Sequence, residues 1–228
     1  METQTEPNAL IQAILDKKDL NAEQAETLAN AFLEKALNEA QMKAALVGLN
    51  EKTIHVDEIV GFAQSMRRHA LSIHPNVPLV DTCGTGGDGA HTFNISTAAA
   101  FVVAACGQAV AKHGNQSVSG KCGSADVLRE VGFDVNLPFQ KTKRMIEREN
   151  FGFLFAPLYH LAMKNVAPVR KALGVKTIFN FLGPLTNPAG IKRQVIGVFG
   201  KENQQKMAEA AKALGTERTL VVCGAHTD

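Results

Sequence analysis

VPLVDTCGTGGDGAHTFNISTAAAFVVAACG, residues 77–107, reads as a short β-type run, a glycine loop and a buried-looking helix in direct succession. Four glycines fall between residues 84 and 89. Glycine contributes no side-chain contacts and costs backbone entropy, so such a cluster needs something that must approach the main chain closely. Successive N–H groups in a glycine turn form a concave nest for anions, and a helix opening near Ser96 adds free N–H groups and the positive end of its dipole. Asn94, Ser96 and Thr97 are ordinary helix caps by type. A cap requires only one of them, so three polar residues beside the glycines favour a phosphate ligand.

Two better-known loops do not fit. Gly84-x-Gly86-x-x-Gly89 matches the dinucleotide fingerprint in form, but Ala90-His91-Thr92-Phe93 separates the last glycine from the helix. No acidic residue lies between Asp88 and Asp126 to meet a ribose. A P-loop needs a lysine directly after its glycines, and none is present.

Outward from this unit the same alternation continues. QAVAKHG, FGFLFAP, RQVIGVFG and RTLVVCG are further strand candidates, separated by helical segments such as SADVLREVG, with Ser124 at its cap, and the amphipathic PFQKTKRMIEREN. Strands alternating with helices predict an α/β domain with a mainly parallel sheet and helices on both faces. Residues 8–74 contain no strand candidate: Asn21 with Gln24 forms a capping-box pattern, Asn38 opens a second helix and Thr53 a third. The expected organisation is a small helical domain over 1–74, with 159–189 packing back onto it, and an α/β domain over 75–228. TLVVCGAHTD ends as a strand runs into a loop, where such domains place site residues, so a chain shortened at its C-terminus is expected.

A second polar, glycine-rich segment follows the second strand candidate: Lys112-His113-Gly114-Asn115, then Ser117, Ser119, Gly120, Lys121, Gly123 and Ser124. Loops after consecutive strands of a parallel sheet face each other across the strand ends. Lys112 and Lys121 can neutralise phosphate, and two nests suggest a ligand carrying two phosphate groups.

Bulk properties narrow the partners. With 24 basic and 22 acidic residues in 228, no electrostatic case exists for nucleic acid or a membrane surface. No apolar run approaches the roughly 20 residues of a membrane span. METQTEPNALIQ lacks the basic and apolar regions of a signal peptide. The four cysteines, Cys83, Cys106, Cys122 and Cys223, have no paired spacing and fit free thiols in a reducing cytoplasm. Cys83 stands close enough to the glycine loop to be expected to react with alkylating agents.

Read together, Asp81–Asp88, Asn94–Thr97, Lys112–Asn115, Gly123–Asp126, Val169–Lys171, Phe179–Asn180 and Gly183–Pro188 resemble the anthranilate phosphoribosyltransferases, with order and spacing kept. The resemblance implies transfer of phosphoribose from 5-phosphoribosyl 1-pyrophosphate (PRPP) to the amino group of anthranilate, releasing pyrophosphate, in tryptophan biosynthesis. It implies a helical domain beside an α/β domain, a homodimer through the helical part, and Mg²⁺ as cofactor. By position it assigns PRPP to Gly84, Gly87, Asp88, Thr92, Asn94, Ile95, Ser96, Thr97, Lys112, His113, Gly114, Asn115, Gln116, Ser117, Val118, Ser119, Gly120 and Ser124. Anthranilate falls to Gly84, Asn115 and Arg170, and the metal to Ser96; no residue acts as acid, base or nucleophile. The family places an Asp-Glu metal pair just after the strand matching TLVVCG. This sequence ends there at Asp228, so that ligand role is not carried over, and full catalysis by this span is left open.

Two other readings share features with this one. A pyrimidine nucleoside phosphorylase has the same architecture and a glycine-rich phosphate loop, but the KHGN segment and the surroundings of Arg170 fit it less well. A non-catalytic nucleic-acid-binding relative is disfavoured by the near-neutral charge.

Overall fold

The computed structural model describes residues 6–86, 93–116 and 122–224. In chain order the elements are α1 (Pro7–Leu15), α2 (Ala22–Leu33), α3 (Glu39–Lys52), α4 (Val56–Arg68), β1 (Asp81–Gly84), α5 (Ile95–Ala105), β2 (Val110–Gly114), α6 (Ser124–Glu130), α7 (Phe139–Glu149), β3 (Phe151–Phe155), α8 (Ala156–Tyr159), α9 (Ala167–Leu173), α10 (Phe179–Leu182), β4 (Arg193–Gly197), α11 (Lys201–Ala213) and β5 (Arg218–Val222). They divide into a helical unit, Met1–Ala70 with His160–Thr186, and an α/β unit, Leu71–Tyr159 with Asn187–Asp228. Among the described residues, no helix is long and apolar enough to cross a membrane.

Reciprocal caps open the helices of the first unit. Asn21 Oδ1 accepts the Gln24 N–H at 2.9 Å while Gln24 Oε1 accepts the Asn21 N–H at 3.1 Å, and Asn38 and Gln41 repeat the arrangement before α3. Thr53 does not open α4. It closes α3 with φ at 73°, and the cap passes to His55, whose N–H donates to Glu58 at 2.8 Å. Glu58 is fully buried and also takes the Leu20 N–H and the Lys52 ammonium, so its charge is paired where water is absent. Phe32, Phe62 and Phe179 meet edge-on or tilted, with ring centres 5.7–6.1 Å apart, which seats α10 against α2 and α4.

In the α/β unit every strand pairing is parallel. β1, β4 and β5 form one ladder in that order, and β2 and β3 form another. Among the described residues a single bridge, Val80 to Val110, joins the two and gives the order β3-β2-β1-β4-β5. The chain thus steps from β1 to β2 and β3 on one side, then returns to β4 and β5 on the other. β1 is where the order reverses, and the carboxyl end of such a strand is where open α/β sheets hold ligands.

Strands β2 and β3 are buried on both faces, which is why FGFLF runs without alternation. Val110, Phe151, Phe153 and Phe155 pack with Ala100, Ala104, Ala125 and Leu128 from α5 and α6. Ala111 and Leu154 pack on the opposite side with Ile146 of α7, Tyr159 and Ile191. α6 begins one residue earlier in capping terms than its sequence suggests: Gly123 is the cap, its N–H bonded to Asp126 at 2.8 Å, and Ser124 is the first helical residue. Toward the other edge, Val195, Leu220 and Val222 remain exposed.

Candidate functional site

β1 delivers Gly84 to the surface at its carboxyl end, followed by Thr85 and Gly86. Gly86 has φ at +64°, a conformation in which a side chain would be strained. Gly87, Asp88 and Thr92 lie outside the described residues, as do Ser117, Val118, Ser119, Gly120 and Lys121 of the second loop.

The chain re-enters at Phe93, and Asn94 stands at the N-terminus of α5 without capping it. Its Nδ2 instead donates to the Cys122 carbonyl at 3.2 Å. One side chain therefore ties the end of the first loop to the end of the second. Asn94 gives the opening N–H groups of α5 no side-chain acceptor; those of Ile95 and Thr97 donate to the Phe93 and Asn94 carbonyls at 2.7 and 3.0 Å. Ile95 is exposed and Ser96 half-buried; Thr97 is buried in the first turn. Thr82 of β1 donates its hydroxyl to the Ser96 carbonyl at 2.7 Å, which fixes the helix start over the strand end.

The second strand end is built as closely. A Cβ on Gly114 would collide with Ser124 Oγ and stand 2.8 Å from the Phe153 ring, so only glycine lets α6 approach β2 here. The Ser124 hydroxyl and the Ala125 N–H both donate to the Asn115 carbonyl, at 3.2 and 3.1 Å. Asn115 Oδ1 takes the Gln116 N–H at 2.8 Å. His113 is buried within β2.

Lys112 departs from its expected role. Its side chain is 2% exposed, and Nζ donates to the Thr82 carbonyl at 2.5 Å rather than standing at the loop surface. Both faces of β2 are covered, so the residue has no outward face on which to present a charge. Asp81, 1% exposed, is its nearby counter-charge. Burial pulls the Lys112 ammonium below its ordinary pKa, opposed by Asp81 and Cys83. Burial likewise pushes the Asp81 carboxyl up, opposed by Lys112 and the Asn187 amide. The expected neutralisation of phosphate by Lys112 gives way to support of β1 from within.

Arg170 lies in the helical unit, on α9. It is half-buried, with its guanidinium 5.4 Å from the centre of the Phe179 ring, and burial lowers its pKa from the ordinary value. A stacked guanidinium keeps its edge donors for a carboxylate. Ser96 offers a hard oxygen of the kind magnesium accepts alongside phosphate oxygens and water. Among the described residues no group of three or more His, Cys, Asp or Glu could hold a metal.

Residues 76–228 match the α/β domain of a glycosyl transferase family, and residues 8–70 match the helical bundle domain of the same family. The chain belongs to that family. Among its glycosyl transferase relatives, the anthranilate phosphoribosyltransferase of Thermoanaerobacter sp. (strain X514) is 50% identical over 215 residues, covering 94% of this chain and 64% of the relative. That of Bacillus subtilis (strain 168) is 47% identical, with the same two coverages of 94% and 64%. The chain thus spans just under two thirds of the length of those relatives. The crystal structure of anthranilate phosphoribosyltransferase from Thermus thermophilus superposes with a TM-score of 0.92 at 43% identity, covering 96% of this chain and 67% of that one. The Saccharomyces cerevisiae enzyme in complex with PRPP and Mg has a TM-score of 0.89 at 28% identity, covering 99% of this chain and 68% of that one.

Sequence reasoning passed over Asn187 and Asp81 as working residues. The available signal was a carboxylate inside the apolar run VPLVDTC and an Asn-Pro step in TNPAG, neither of which names a partner 106 positions away.

Proposed function

We propose that this chain carries the PRPP site of an anthranilate phosphoribosyltransferase, which transfers phosphoribose to the amino group of anthranilate and releases pyrophosphate. The observation that carries the reading is the Asn94–Cys122 bond, which draws together the ends of two glycine-rich loops following neighbouring parallel strands. A ligand with phosphate at two ends matches two such loops.

The chemistry asks little of acids and bases. The amine of anthranilate is neutral near pH 7, as the low basicity of an aromatic amine requires. The difficult event is departure of pyrophosphate from the anomeric carbon, which leaves positive character on the ribose and negative charge on the leaving group. Main-chain N–H groups at the end of β1 and the start of α5 would stabilise that negative charge in this proposal. Gly84, Asn94, Ile95, Ser96, Thr97, His113, Gly114, Asn115, Gln116 and Ser124 are the described residues assigned to PRPP in this proposal. Lys112 supports them from beneath. Asn115, Gly84 and Arg170 are assigned to anthranilate, with the Arg170 fork suited to its carboxylate. Magnesium, when bound with the phosphates and the Ser96 hydroxyl, would neutralise leaving-group charge. Dimerisation through the helical unit and residence in the cytoplasm belong to the same proposal.

Calorimetric titration with PRPP, with and without Mg²⁺, tests the site, and loss of anthranilate's blue fluorescence in its presence tests the transfer. Saturable PRPP binding strengthened by Mg²⁺ is expected. Absence of PRPP binding under both conditions would overturn the proposal.

A further inference from the structure

The two strands that lead into the loops are not held together by a normal ladder. Val80 donates its N–H to Ala109 at 3.0 Å and accepts the Ala111 N–H at 3.1 Å, which makes the one bridge between them. The next rung would pair the N–H and C=O of Thr82 with the Ala111 C=O and the His113 N–H. Side chains fill that rung instead. Asn187 Nδ2 donates to the Ala111 carbonyl at 2.8 Å and to Asp81 Oδ2 at 2.8 Å. Lys112 Nζ donates to the Thr82 carbonyl at 2.5 Å, so side chains join β1 and β2 at this level.

The orientation of the Asn187 amide is not free to invert. Its Oδ1 accepts the Ala189 N–H at 2.9 Å, so the NH₂ end must face the strands. The residue is 6% exposed, in the connection that leads to β4. Asn187 thus joins the two strand tips through the Asp81 side chain, where a ladder would join Ala111 to Thr82 directly. The loops that begin at Thr85 and Asn115 start from those tips.

We propose that Asn187, clasping Asp81 and Ala111, is a positioning residue that sets the separation of the two loop-bearing strand ends and so tunes the site to a ligand with phosphate at both ends. This rests on the phosphoribosyl reading above. Asn187 touches no ligand in this scheme; it acts through β1 and β2.

The test compares PRPP with ribose 5-phosphate, which carries one phosphate and can engage one loop only. In Asn187→Leu, of similar volume but without donors, PRPP affinity by calorimetry is expected to fall at least about tenfold. Ribose 5-phosphate affinity should stay within about twofold, with the far-ultraviolet circular dichroism unchanged. Equal weakening of both ligands would mean general loosening and would overturn the inference, as would no weakening of either. If the leucine variant does not fold, Asn187→Ser is read by the same two affinities. Failure of the unsubstituted chain to bind PRPP overturns the phosphoribosyl reading and this inference together. Normal PRPP binding in both proteins overturns the inference alone.

Discussion

Cys83 immediately precedes Gly84, and its position in the chain suggests a reactive thiol beside the glycine loop. Its side chain is buried, with Sγ donating to the Val195 carbonyl at 3.6 Å. Burial and the neighbouring Asp81 carboxylate raise the thiol well above its ordinary pKa, against a smaller opposing effect of Lys112. The thiolate is the nucleophile, so both access and ionisation work against alkylation. With iodoacetamide near neutral pH, the exposed Cys106 and Cys122 should be modified first. Cys83 should remain free in peptide maps until the chain is denatured; modification as fast as Cys106 would refute the burial argument. The same reasoning explains Lys112. The glycines announce themselves in the sequence because only close backbone approach accounts for them. The direction of a lysine on a strand covered on both faces has no such mark, since neither face of β2 is distinguished as outward.

Elements are legible where local chemistry decides them. The Asn21 box needs only residues three apart and forms, and Asn38 opens a helix with a box of its own. Thr53 misleads because a β-hydroxyl residue before an apolar run looks like a cap, whereas His55 and the buried Glu58 supply the actual one. The pairing of α2 with α4 depends on contacts far apart in sequence and cannot be read locally. Gly61 is central to it: an added Cβ would collide with the Ala22 carbonyl and stand 2.6 Å from the Glu26 nitrogen and 2.7 Å from Ala25 Cβ. Glycine to alanine inside a helix ordinarily stabilises by about 1 kcal/mol. Here the obstructing atoms are largely backbone, so α2 must retreat and overpacking prevails. Gly61→Ala should cost about 2 kcal/mol, read as a lowered urea midpoint with an unchanged slope. A raised midpoint would show that the helices separate freely.

At the scale of the whole molecule, alternating strand and helix patterns announce an α/β fold, and the helical bundle before it is plain from the absence of strand patterns in residues 8–74. The strand order is not legible, because periodicity shows that a strand exists and not which strand lies beside it. Nor does it show that, among the described residues, a single bridge at Val80 and Val110 joins the two ladders. The pH dependence of stability is set by similarly distant contacts. His160 opens the segment His160–Thr186 of the helical unit and is 6% exposed. Burial lowers its pKa from 6.5 to about 4, against a partly offsetting backbone hydrogen bond with Thr186. The folded chain therefore keeps this imidazole neutral where the unfolded chain protonates it. Its contribution is complete above the unfolded pKa, declines as pH falls from 6.5, and is lost once pH passes below about 4. Over that interval the loss amounts to about 3 kcal/mol. In His160→Gln, which cannot titrate, the fall in unfolding free energy between these pH values should be shallower by that amount. Equal slopes in the two proteins would remove His160 as the source of acid sensitivity.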